Sequence, residues 1–108
     1  MEGIYFDTGK SELKPESAAA ITEVAKLLKG DAGLKLYVVG HTDNAGALEG
    51  NMKLSQSRAQ SVVQELAKTH GIDAARIKAY GSGPYTPVAS NDAEEGRAKN
   101  RRVELVKQ

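Results

Sequence analysis

The stretch Leu34-Lys35-Leu36-Tyr37-Val38-Val39 constrains this chain more than any other. Leu34, Leu36 and Val38 alternate onto one face, and Tyr37 and Val39 onto the other. A strand apolar on both faces belongs inside a sheet, with neighbours on either edge. It runs directly into Gly40-His41-Thr42-Asp43-Asn44-Ala45-Gly46, a polar loop bracketed by glycines. Ligands in sheets of this kind commonly bind beyond the carboxyl ends of the strands, so the loop is the first place to look for function.

The remaining elements are read around that strand. Ile4-Tyr5-Phe6 is a short β-branched and aromatic run, closed by the turn-formers Asp7-Thr8-Gly9. Pro15 is expected at the first position of a helix, where its missing N–H costs nothing. Ile21, Val24, Ala25, Leu27 and Leu28 give that helix one apolar face, and Gly30-Asp31-Ala32-Gly33 ends it. A long helix is expected from about Leu48 to Thr69, stopped by Gly71, with Met52, Ala59, Val62, Val63 and Leu66 facing inward. Arg76 to Tyr80 reads as a third strand. Gly81 to Asp92 reads as an irregular loop containing two prolines, and Glu94 to Asn100 as room for a helical turn. Arg102 to Val106 alternates as a last strand. The order is βαβαββ, which predicts an α+β sandwich: a mixed four-stranded sheet with helices packed on one face. Val63→Asp is expected to unfold such a domain by burying an unpaired charge.

At 108 residues the chain suits a single domain spanning 1–108. Fifteen Lys and Arg against fourteen Asp and Glu leave a formal charge of +1, which argues against nucleic acid or an anionic membrane as a general partner. Selectivity then has to come from placed charges. The sequence contains no cysteine, so disulfides, thiolate metal sites and cysteine nucleophiles are excluded. Met1-Glu2-Gly3 does not open a signal peptide, and no apolar run approaches bilayer length. The chain therefore reads as a domain cut from a longer protein, with any export signal or anchor lying outside it.

Two features can carry chemistry. Asp43 sits in the loop after the central strand, and Asn51, Ser55 and Arg58 follow at spacings of four and three on the next helix, which places them on one face. A carboxylate on the loop and a guanidinium on the adjoining helix suit a ligand carrying both an ammonium and a carboxylate. The plainer readings are an Asp43 that caps or complements the helix N-terminus and an Arg58 on a solvated face. His41 beside Asp43 could serve as a base or a metal ligand, but only His70 offers a second imidazole, and a structural histidine is the simpler reading. Ser82 between glycines lacks the strand-turn-helix setting of a nucleophile elbow. Lys99, Arg101 and Arg102 split between faces at strand spacing and read as a solvated rim.

The chain resembles the outer membrane protein A C-terminal (OmpA-like) family of peptidoglycan-binding domains, which includes peptidoglycan-associated lipoproteins and flagellar stator protein B domains. The residues that carry the resemblance begin with Phe6-Asp7 and Leu13-Lys14-Pro15 and continue through Val39-Gly40-His41-Thr42-Asp43, Gly46, Asn51, Leu54-Ser55 and Arg58-Ala59. They extend to Gly71-Ile72, Arg76-Ile77, Gly81-Ser82-Gly83, Pro87, Asn91 and the run Gly96 to Glu104, covering about residues 4 to 106. What the resemblance implies is non-covalent binding of the diaminopimelate in the peptidoglycan stem peptide, without turnover and without a cofactor. It places the ligand's free amino-acid end on Asp43 and Arg58, with Thr42 and Asn51 in support, Phe6 and Asp7 at the pocket rim, and Arg101 near the same pocket. It also implies a periplasmic location, tethering of the outer membrane or an envelope complex through an N-terminal region, and room for envelope protein partners. Two other functions stay open: a cell-wall or peptide hydrolase using His41 and Asp43, and a protein-interaction scaffold of the envelope. As Arg58 is read as mid-helix, Arg58→Ala is expected to leave folding largely intact.

Overall fold

The computed structural model describes residues 4–108; the reading of Met1-Glu2-Gly3 lies outside them. The described residues form strands β1 (Ile4–Tyr5), β2 (Leu36–Gly40), β3 (Ile77–Gly81) and β4 (Arg102–Lys107), and helices α1 (Ser17–Gly30), α2 (Leu48–Lys68) and α3 (Glu94–Asn100). They make one mixed sheet in the order β1-β4-β2-β3. β2 runs parallel to β3 and antiparallel to β4, and β4 runs antiparallel to β1. The α+β sandwich and the interior position of β2 are as the sequence predicts. The element order gains a short third helix, α3, over Glu94–Asn100, where the sequence leaves room for a helical turn. Its acids Glu94 and Glu95 lie in the first turn and Arg97 and Lys99 in the last, the arrangement a helix dipole favours.

Local chemistry moves several boundaries. Phe6 lies past the end of β1, its N–H donating to the Arg101 carbonyl. Pro15 is not inside a helix: Ser17 N–H donates to the Lys14 carbonyl, so Pro15 occupies the second position of a tight turn that its fixed φ suits. Leu34 is spent on a turn with Asp31, which leaves β2 to begin at Leu36. Arg76 belongs to a 3-10 turn at Ala74–Arg76, capped by the Asp73 carboxylate. Its guanidinium donates to the carbonyls of Leu28 and Asp31 at 2.7 and 2.5 Å and of Leu34 at 3.1 Å, closing the C-terminal end of α1. Gly71 ends α2 with a φ of 69°, as Ile72 N–H turns back to the Leu66 carbonyl.

The core lies between the sheet and the helices on one face. Ile21, Val24, Ala25 and Leu28 of α1 meet Ala59, Val62 and Leu66 of α2 above Leu36, Val38, Ile77 and Val103. Val62 is fully buried, whereas Val63 is only partly so, at the margin of this cluster. The full burial expected of Val63 is corrected to partial burial, so Val63→Asp should cost less than an enclosed charge would. The opposite sheet face is bare: Tyr37, Tyr80 and Val106 remain exposed, and the Tyr37 and Tyr80 rings pack edge to face at 5.5 Å. The second apolar face of β2 is served by its strand neighbours rather than by a helix. No helix among the described residues is long and apolar enough to cross a membrane.

Candidate functional site

Two glycines bring α2 onto the ends of β2 and β3. A Cβ on Gly40 would lie 1.8 Å from the Ser55 carbonyl oxygen, and one on Gly81 would lie 2.4 Å from Ser55 Oγ. Only bare backbone permits this approach. Ser55 Oγ uses the contact, accepting from Gly83 N–H at 2.9 Å and donating to the Met52 carbonyl at 2.8 Å. The inner face of α2 thereby lies against the loop after β2, and Asn51, Ser55 and Arg58 are all buried on it. The shared face expected from their spacing is present. It is turned inward, so the solvated reading of Arg58 does not hold.

Arg58 is completely buried. Nε donates to the Lys10 carbonyl at 2.8 Å, Nη1 to the His41 carbonyl at 2.8 Å and Nη2 to the Asp7 carbonyl at 3.0 Å. The Phe6 ring lies beneath the guanidinium, 5.2 Å away. A guanidinium carries five N–H donors, so two remain beyond these carbonyls. Burial pulls its pKa down to about 10, opposed by the charge of Asp43, and it stays cationic at neutral pH. Among the described residues no ion pair joins Arg58 to an acid.

Asp43 is also buried. Oδ1 accepts the Ala45 N–H at 3.0 Å, a local turn rather than a helix cap, because α2 begins after Ala47 with no side-chain cap. Oδ2 accepts from Arg101 Nη1 at 3.1 Å. An ionised carboxylate has about four acceptor positions, so Asp43 keeps capacity for a further donor. Thr42 Oγ1 donates to the Asp43 carbonyl at 2.8 Å, and Asn51 Nδ2 to the Ala45 carbonyl at 2.9 Å; both shape the loop. Arg101 is buried, its Nε on the Phe6 carbonyl at 3.1 Å. The reading of Arg101 and Arg102 as a solvated rim is corrected, since both are enclosed.

The structure thus brings Thr42, Asp43, Asn51, Arg58 and Arg101 into one cluster with Phe6 as its floor. Phe6 is a core residue, not a rim residue. Asp7 contributes its carbonyl to Arg58, while its carboxylate points out to Lys14 at 3.3 Å. Sequence reasoning missed Glu94, which bonds Arg101 through Oε2 at 2.6 Å. It also missed Asn100, whose side chain ties Val88, Ala89 and Asn91.

His41 points elsewhere. The hydroxyls of Ser82 and Thr86 approach Nδ1 at 2.7 and 3.0 Å. Nε2 lies 2.9 Å from Glu104 Oε1, yet out of line for a hydrogen bond, so it has no aligned partner. Ser82, His41 and Glu104 fall in the sequence of a nucleophile–base–acid relay. The imidazole is nevertheless pushed down to about 4, by burial first and the Arg102 charge second, and a base that weak activates little at neutral pH. Asp43 takes no part in this array.

With this geometry established, three likenesses bear on the chain. It is 46% identical over 103 residues to Probable lipoprotein YiaD of Escherichia coli (strain K12), covering 95% of this chain and 47% of that protein. It is 41% identical over 103 residues to the peptidoglycan-associated lipoprotein of Pseudomonas aeruginosa, covering 95% of this chain and 60% of that protein. The chain therefore spans about half the length of these relatives. The crystal structure of the peptidoglycan-associated lipoprotein from Burkholderia pseudomallei superposes with a TM-score of 0.94 at 31% identity, covering 100% of this chain and 91% of that one. The profile of the OmpA family matches residues 5–101, from the end of β1 to the arginine that holds Asp43, and the chain belongs to that family.

Proposed function

We propose that this domain is a non-catalytic anchor that binds peptidoglycan in the cell envelope, on the periplasmic side, by holding the free amino-acid end of diaminopimelate in the stem peptide. The observation that carries the reading is Arg58: a fully buried cation bonded only to neutral carbonyls, with two donors left over. An enclosed charge with no acid in contact is costly unless an anion reaches it. A ligand carboxylate on those donors, with its ammonium on the spare acceptors of Asp43, satisfies both groups. The peptidoglycan-associated lipoproteins that this chain resembles support the same ligand class.

The test is co-sedimentation with insoluble peptidoglycan containing diaminopimelate, followed by titration with soluble stem peptide. Wild type should pellet with the wall and release no soluble fragments. Asp43→Asn and Arg58→Lys should bind at least tenfold more weakly, a loss of about 1.4 kcal/mol or more. If both variants bind like wild type, the ligand lies elsewhere. Release of fragments that is lost with His41→Ala would instead make the domain a hydrolase.

A further inference from the structure

The charges of the site extend past Asp43 and Arg58. Arg101 lies between two acids, with Nη1 3.1 Å from Asp43 Oδ2 and 3.3 Å from Glu94 Oε1, and Nη2 2.6 Å from Glu94 Oε2. The side chains of Asp43 and Arg101 are each 8% exposed, whereas that of Glu94 is 63% exposed. Nε of Arg101 is fixed on the Phe6 carbonyl, so the guanidinium has little freedom except in how its outer nitrogens divide between the two carboxylates. Arg58 and Arg101 outnumber Asp43 inside the site, and Glu94 at its edge restores the balance.

We propose that Glu94 is a specificity-determining residue for the ligand's ammonium: by holding the outer edge of Arg101, it leaves Asp43 enough unneutralised charge to receive a second cation. The inference rests on the reading that Asp43 and Arg58 take the amino-acid end of the stem peptide. Without the Glu94 charge, Arg101 turns wholly to Asp43, and the site becomes a cationic pocket indifferent to the amine. Glu94 is held below the usual carboxylate range, chiefly by its hydrogen bond to Arg101, so it remains charged wherever the domain would bind.

The experiment compares two stem tripeptides by calorimetric titration, one ending in diaminopimelate and one in 2-aminopimelate, which lacks only the distal amine. Wild type should prefer the first. Glu94→Gln, whose site is exposed enough to leave folding unchanged by circular dichroism, should lower that preference roughly fivefold. Affinity for the second peptide should hold or rise. Arg97→Gln is the control: Arg97 also reaches Glu94, at 3.4 Å, but has no bond to Asp43, and the preference should not move. In an Arg101→Gln background, adding Glu94→Gln should have no further effect on the preference. An unchanged preference in Glu94→Gln, or an equal loss for both peptides, overturns the proposal while leaving the anchor reading intact. A wild type indifferent to the amine overturns both.

Discussion

Arg58 has three of its five donors engaged by the fold itself. Its three bonded carbonyls belong to Asp7, Lys10 and His41, two segments that no strand pairing joins at those positions. Arg58→Ala takes the donor from the Lys10 and His41 carbonyls, Asp7 keeping the Lys10 N–H, and opens a cavity over Phe6, whatever the helix propensity of alanine. The expected cost is about 3–5 kcal/mol, read as a lower midpoint in urea denaturation. This reverses the expectation drawn from the sequence, where a mid-helix arginine looked dispensable to folding. Arg58→Lys keeps a charge and part of the packing, so it separates loss of binding from loss of fold. The spacing of Asn51, Ser55 and Arg58 located the correct face of α2. Periodicity cannot say how a face is satisfied, and here backbone carbonyls from distant segments satisfy it. Glu94 was illegible for a related reason: an exposed acid in the first turn of a short helix looks like a dipole partner, and its contact with Arg101 exists only in three dimensions.

Among the elements, α2 and β2 decide the geometry, and Gly40 lets them meet. Gly40→Ala would drive a Cβ to 1.8 Å from the Ser55 carbonyl, main chain that cannot swing aside. We expect it to cost about 2–3 kcal/mol by thermal or urea denaturation, with weaker peptidoglycan binding in the fraction that folds, since the loop carrying Asp43 starts at the next residue. The strands and long helices were legible because their apolar periods are strong: β2 alternates over Leu36, Tyr37, Val38 and Val39, and α1 and α2 carry stripes at three and four. Their ends were less so. Pro15 fits a helix start and a tight turn equally well, and only the bond from Ser17 to Lys14 decides between them. Arg76 reads as a strand residue by position, yet its side chain caps α1 from across the molecule.

For the molecule as a whole, His41 ties three parts together: the end of β2, the turn after β3 through Ser82 and Thr86, and β4 through its N–H on the Arg102 carbonyl. Its folded pKa of about 4 lies below the ordinary histidine value of 6.5, chiefly because of burial and then because of Arg102. The unfolded chain therefore binds a proton that the folded chain refuses. Stability is full above about pH 6.5 and falls as pH drops towards 4, by up to roughly 1.4 kcal/mol for each unit crossed. Melting temperature against pH should show that decline, and His41→Gln should flatten it. The path from the first described strand to the ligand site has a mechanical meaning as well. Among the described residues, β1 holds to β4 through the pairs Ile4–Val103 and Tyr5–Arg102, and the next carbonyls, of Phe6, Asp7 and Lys10, are clasped by Arg101 and Arg58. A pull entering at Ile4 is thus borne within a few residues by Arg58, to which we assign the ligand carboxylate, and by Arg101, which holds Asp43. On the function proposed above, a load entering at the first strand and the hold on the ligand would act as two springs in series, and a tug hard enough to peel that strand would also loosen the hold.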